Sequence, residues 1–312
     1  MSTQPSMRPS AQQSSSSPLS PAREHRAAAR AFARGPLPIL VACLLWGSTG
    51  TAASFAPEGA NPAAVGCAGL VFGGLLLCLT TRGCVALVRA ATRRDRAALL
   101  VGAVAVAGYP LTFYPAVSRT GVAVATVIAL GSAPVFAGLV ERAPFGPLRR
   151  IATAAAVAGC ALLVVGQEAG GVRADALGVG LALVAGLSYA VYASVGARLI
   201  ARGHAARPAL AVMFAVAAAA VAPLVVADGW WLADARGAAV ALHLSALTTC
   251  VAYTLFGLGL RHTTAVVATS LTLAEPAAAA VLGVVVLGEQ LAWISWAGLA
   301  VIGVALGVMS RG

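Results

Sequence analysis

From residue 36 to near its C-terminus the chain alternates long apolar runs with short polar breaks. The runs fall at 36–54, 63–80, 97–117, 121–140, 150–166, 176–198, 208–226, 238–259, 264–287 and 291–309. Each is close to the ~20 residues that carry a helix across a bilayer at ~1.5 Å per residue. The breaks hold turn formers and charge, as in Pro57-Glu58-Gly59, Pro144 to Arg150, Arg202-Gly203-His204 and Gly288-Glu289. Lipid offers no partner to a backbone N–H or C=O, so each run must satisfy its own as a helix. The runs are continuously apolar rather than alternating, which argues against a β-barrel. The pattern predicts an all-α polytopic membrane helix bundle of ten transmembrane helices. Its connections are too short to hold a soluble domain, so function must reside in the bundle.

Composition agrees. Of 312 residues, 60% are hydrophobic and 10% charged, against ~25% charged in an ordinary soluble domain. The net charge of +11 comes entirely from arginine, since the chain has no lysine. These arginines lie between apolar runs rather than on one polar face, so they do not read as a nucleic-acid surface. With ten spans and a cytoplasmic N-terminus, 18 of the 21 fall on the cytoplasmic side and Arg119, Arg173 and Arg236 on the other. That asymmetry fits the positive-inside rule and predicts a multi-pass protein of the cytoplasmic (inner) membrane with both termini cytoplasmic. Residues 1–35, rich in Ser, Pro, Gln and Arg, have nothing to bury and are expected to be a disordered cytoplasmic tail. The first apolar run is long for a signal peptide and is expected to stay as a membrane helix.

The halves repeat at an offset near 142. Ala123-Val124-Ala125-Thr126 parallels Ala265-Val266-Val267-Ala268-Thr269, Arg119 aligns with Arg261 and Pro134 with Pro276, and Val41 to Trp46 parallels Val184 to Tyr189. Each half, 36–166 and 176–310, holds five runs. An odd number makes the second half run through the bilayer upside down. Such 5+5 inverted repeats enclose a midplane cavity and alternate its access by rocking.

Several motifs resemble the EamA-type branch of the drug/metabolite transporter superfamily. They are Leu45-Trp46-Gly47-Ser48-Thr49 in the first run and Ala133-Pro134 in the fourth. The second half adds Leu273-Ala274-Glu275-Pro276, Leu287-Gly288-Glu289-Gln290-Leu291, and Gly298 to Val304. The resemblance covers about 36–310 and implies two five-helix repeats and transport of small metabolites, often export. One departure stands out. Glu289 follows Pro276 by 13 residues, whereas the same offset from Pro134 reaches Pro147.

Glu275 is the sharpest candidate for function. It sits at the centre of the ninth run, where an acid costs ~2.5–3.5 kcal/mol on insertion scales and so faces a bundle interior or a wet cavity. Two roles fit: a protonatable or amine-binding group, or a protonated brace between helices. Trp46, Ser48, Thr49, Tyr109, Tyr114, Ser188, Tyr189, Tyr192 and Tyr253 form a second set. Several fall inside the bilayer, where a tyrosine or tryptophan needs a polar partner that a cavity would supply; ordinary packing between helices is the alternative. Trp46 and Tyr189 are equivalent in the repeat. Pro110, Pro115, Pro134 and Pro276 are candidate helix-breaking or gating positions. Gly69-x-x-x-Gly73 and Gly303-x-x-x-Gly307 match the helix-packing pattern and leave a homodimer open.

No G-x-S-x-G, H-E-x-x-H, P-loop or dinucleotide-binding pattern occurs. The six cysteines and four histidines lack metal-ligand spacing. No metal or cofactor is expected, and a membrane enzyme or a non-transporting scaffold or receptor is the competing class. The expected partners are the lipid bilayer, a small neutral, amino-acid-like or cationic solute, and protons, with no nucleic acid.

Overall fold

The computed structural model describes residues 29–142, 146–167, 175–288 and 290–311. Most of the 1–35 tail, together with Glu168, Arg173 and Glu289, lies outside the described residues. Among the described residues the chain is helical throughout and has no strand. In order, α1 is Pro36–Ala53, α2 Pro62–Thr80, α3 the short Cys84–Ala90, α4 Arg93–Thr120, α5 Val122–Glu141 and α6 Pro147–Gln167. In the second half α7 is Ala176–Ala201, α8 Ala206–Ala227, α9 Ala235–Leu260, α10 Ala265–Leu287 and α11 Trp293–Arg311. Eight of these are long and apolar enough to cross a membrane, and α6 and α11 carry shorter apolar stretches, Arg150–Leu163 and Trp293–Met309. Every one of the ten apolar runs is therefore a helix, in a polytopic bundle.

Local chemistry sets the ends. Pro36 and Pro62 open α1 and α2, where a missing N–H costs nothing. Asn61, Thr92, Asp175, Asp234 and Thr264 cap α2, α4, α7, α9 and α10 with side-chain oxygens. Gly121, at φ 84° and ψ 156°, turns the chain from α4 into α5 in a single residue, a conformation that only glycine adopts freely. Two elements are not foreseen from hydropathy. One is α3, inside the Arg-rich linker 82–96. The other is a 3-10 turn, Trp230–Ala233, which drives Trp231 wholly into the core.

Packing relates the halves by an exchange. The pair α4–α7 has its counterpart in α9–α1, α5–α7 in α10–α1, and α2–α9 in α8–α4; α2–α8, α5–α10 and α6–α11 map onto themselves. A contact pattern that survives swapping the halves is that of a two-fold axis. With five spans in each half the axis lies in the membrane plane, as an inverted repeat requires. At the α6–α11 crossing the backbones nearly touch: a Cβ on Gly298 would lie 2.5 Å from Gly159 O, and one on Gly159 2.9 Å from Gly298 O. Gly69 and Gly73 pack on Leu244, Ser245 and Thr249 of α9, within the same chain, whereas Gly303 meets nothing within 4 Å.

Ion pairs clasp α4 to α7 at both ends. Buried Asp95 receives Arg202 Nη1 at 2.8 Å, His204 Nε2 at 3.3 Å and the Thr92 hydroxyl at 2.7 Å. At the opposite end Arg119 pairs with Asp175 at 3.0 Å. Arg119 and the Leu177 N–H hold the Asp175 carboxyl below its usual range. This second clasp is therefore complete at neutral pH and is lost as the carboxyl protonates in acid.

Candidate functional site

The ninth span is built around a break. Pro276 has no N–H to give Thr272 O, and its ring crowds that carbonyl. The Glu275 N–H moves forward to bond Thr272 O at 2.9 Å, and α10 is interrupted at Thr272-Leu273. Leu271 O, which the Glu275 N–H would serve in a regular helix, receives the Cys43 thiol at 3.7 Å. Leu273 O receives the Cys160 thiol at 3.8 Å. Cysteines that look in the sequence like plain small hydrophobes thus cover the carbonyls of the break. Glu275 lies in the first turn beyond it.

A second irregularity faces it. In α9 the stretch Leu244–Val251 has π-type turns, and the Ala252 N–H reaches Leu247 O. Thr248 O is then available to the Trp46 indole, which donates to it at 2.8 Å, as such bulges often permit at functional sites.

Between these two irregular helices is a cavity of about 180 Å³. Eight helices line it, all the spans except the α6–α11 pair. Trp46 and Thr49 come from α1, Tyr109, Pro110 and Tyr114 from α4, Tyr189 and Tyr192 from α7, Tyr253 from α9 and Glu275 from α10. The structure adds Gly66, Gly69, Phe113, Phe214, Thr248 and Thr249, which sequence reasoning did not single out for the site. The rings form one connected wall. Phe214 and Tyr253 centroids are 4.1 Å apart, Trp46 and Tyr253 4.9 Å, Tyr189 and Tyr192 5.1 Å, and the Tyr192 and Tyr253 hydroxyls are hydrogen-bonded at 3.2 Å. Gly66 makes room for this wall: a Cβ there would fall 1.4 Å from Tyr114 Oη.

Two expected lining residues are elsewhere. Ser48 points away from the cavity to Leu45 O and His243 Nε2, and Ser188 is half-buried beside Gly108 on the α4–α7 contact. One helical residue is a rotation of ~100°, enough to carry Ser48 off the face that holds Trp46 and Thr49. Pro110 lines the cavity and Pro115 is exposed, and α4 continues through both. Pro134 is buried within an unbroken α5. Of these four prolines, only Pro276 coincides with a break.

The electrostatics are lopsided. Glu275 is the only ionisable acid or base, other than tyrosine, among the lining residues, and no ion pair involves it among the described residues. Its repeat equivalent at the 142 offset is Ala133, wholly buried. The cavity is thus two-fold in shape and one-sided in charge. Tyr189, 3% exposed, has a hydroxyl with no hydrogen-bond partner among the described residues. Thr272 Oγ1 is close to it, without hydrogen-bond geometry, and donates its own proton to Thr269 O at 2.8 Å.

With this arrangement in view, comparison with known proteins is decisive. The EamA-like transporter family model matches residues 33–165 and again 176–311. The chain belongs to the EamA-like transporter family. It is also 39% identical over 279 residues to the uncharacterized transporter YwfM of Bacillus subtilis (strain 168), covering 87% of this chain and 92% of the relative. A solved crystal structure superposes with a TM-score of 0.72 at 20% identity, covering 87% of this chain and 94% of that one; that likeness speaks for the fold. The family's paired matches coincide with the two halves related by the exchange of helix contacts. The protein is a multi-pass membrane transporter of this family.

Proposed function

We propose that the protein is a secondary transporter that exports a small metabolite, neutral, amino-acid-like or cationic, across the cytoplasmic membrane by rocking its two halves, 36–166 and 176–310, about the central cavity. The observation that carries this reading is the Glu275 carboxyl, without an ion pair among the described residues, in an aromatic cavity lined by helices of both halves. An isolated carboxylate is very costly to hold in a medium of low polarity. A site with no cationic side chain to offer leaves two ways to neutralise it: a proton, or a cationic group on the solute. Glu275 therefore serves as an exchange point at which solute amine and proton compete, while the rings bind the apolar part of the solute and offer their faces to a cation. The arginine asymmetry supports a topology with both termini on the cytoplasmic side.

Resistance conferred by overexpression, screened across amines, amino acids and their analogues, identifies the solute class; counterflow in proteoliposomes then tests transport directly. Solute-dependent counterflow is expected, and none with any compound that confers resistance contradicts the proposal. Within the cavity, Tyr189→Phe isolates solute binding from folding. Its hydroxyl makes no hydrogen bond of good geometry among the described residues, so the thermal midpoint should be nearly unchanged. The apparent KM should rise about fivefold, the effect of one net hydrogen bond of ~1 kcal/mol. An unchanged KM would show that the hydroxyl faces no solute.

A further inference from the structure

A second cavity, of about 900 Å³, is lined by helices that also line the central one. Its walls include Thr51 and Glu58 at and beyond the end of α1, Arg236 and His243 on α9, and Leu282 near the end of α10. The two cavities share α1 and α9 as a common wall. On α1, Trp46 and Thr49 face the central cavity, and Ser48 and Thr51 the second. On α9, Leu244 and Thr248 face the central cavity, and Val240 and His243 the second. At this boundary Ser48 Oγ meets His243 Nε2 at 2.8 Å.

The direction of that bond follows from proton counting. Leu45 O, 2.6 Å from Ser48 Oγ, can only accept. The single hydroxyl proton goes to Leu45 O, so His243 Nε2–H donates to Ser48. The bond joins α1 of the first half to α9 of the second, the two bodies that must part for a solute to pass between them. Glu58 and Arg236, both exposed, do not pair with each other among the described residues. They present opposite charges at separate points of the wall.

We propose that the second cavity is the vestibule on the face bearing 54–58 and 234–236, that it accepts small polar or zwitterionic solutes, and that the Ser48–His243 bond is the gate between it and the central cavity. The inference rests on the transport reading of that central cavity.

The test uses Thr49→Cys, on the central side of the gate, in the otherwise native full-length chain in right-side-out vesicles. The probe is a membrane-impermeant charged methanethiosulfonate. Removing the gate bond with Ser48→Ala, a change of one atom, or with His243→Ala should speed modification of the introduced thiol about fivefold, since the bond is worth about 1 kcal/mol net. Native Cys43, wholly buried, should stay unmodified throughout. Unchanged rates in both variants overturn the gate, as does equal acceleration at Cys43, which marks general loosening. The readout needs no solute. Faster modification of the introduced thiol without any counterflow would remove the transport reading and leave the gate; counterflow with unaltered modification would remove the gate alone.

Discussion

Glu275→Gln should abolish pH-dependent and cation-driven flux while leaving the protein inserted and folded. Glutamine keeps the shape of the protonated acid and cannot take up or release a charge. Nothing in the described structure is bonded to the Glu275 side chain or ion-paired with it, so folding loses no partner. Insertion should become slightly easier, since an acid at a span centre costs ~2.5–3.5 kcal/mol on insertion scales. Flux measured between pH 6 and pH 8 should fall by at least about a hundredfold at the favourable pH, the loss of a charge-assisted contact of ~3 kcal/mol. A variant that keeps wild-type flux and pH profile would reduce Glu275 to a brace. Glu275→Asp tests placement separately: it keeps the charge and draws it back toward α10, so partial flux is expected.

Gly298→Val should be strongly damaging although it lies away from the cavity. Its Cβ would stand 2.5 Å from Gly159 O and 2.8 Å from Leu163 N. Both are backbone atoms and cannot swing aside, so α6 and α11 must separate along their contact. Overpacking of this kind costs ~1–3 kcal/mol, and here the upper part of that range applies. Gly303→Ala on the same helix is the contrast. Nothing lies within 4 Å of its Cβ position, and alanine is favoured over glycine in a helix interior by ~0.8–1 kcal/mol. Thermal midpoints in detergent should fall for the first and hold or rise for the second. Equal effects would mean that α6–α11 packing is not the determinant.

The fold was legible because lipid simplifies the code. A span must be apolar, long and helical, so the ten runs and their two halves are legible in the sequence. Glu275 was legible because an acid in an apolar run is conspicuous, and Trp46 and Tyr189 because the repeat offset pairs them. Rotation about each helix axis was not legible. Spans that are apolar all round carry no moment to show which face is inward, so Ser48 and Ser188 were grouped with the cavity and Phe214, Thr248 and Thr249 were not. Gly66 was hidden for another reason: its role depends on Tyr114, on a different helix. Asp95, in the Arg-rich break 82–96, carries no sequence signal for its role, yet it is buried and joins α4 to α7 and the loop that follows.

The central claim is that one cavity, shared by the inverted halves, is reached alternately from the two sides of the membrane. Thr248→Cys, on the cavity wall beside Trp46, tests it directly. Rates of modification by an impermeant charged thiol reagent are measured in right-side-out and in inverted vesicles, against the native chain. Reaction from both faces is the predicted result. Reaction from one face only, under every condition that sustains flux, would contradict the account.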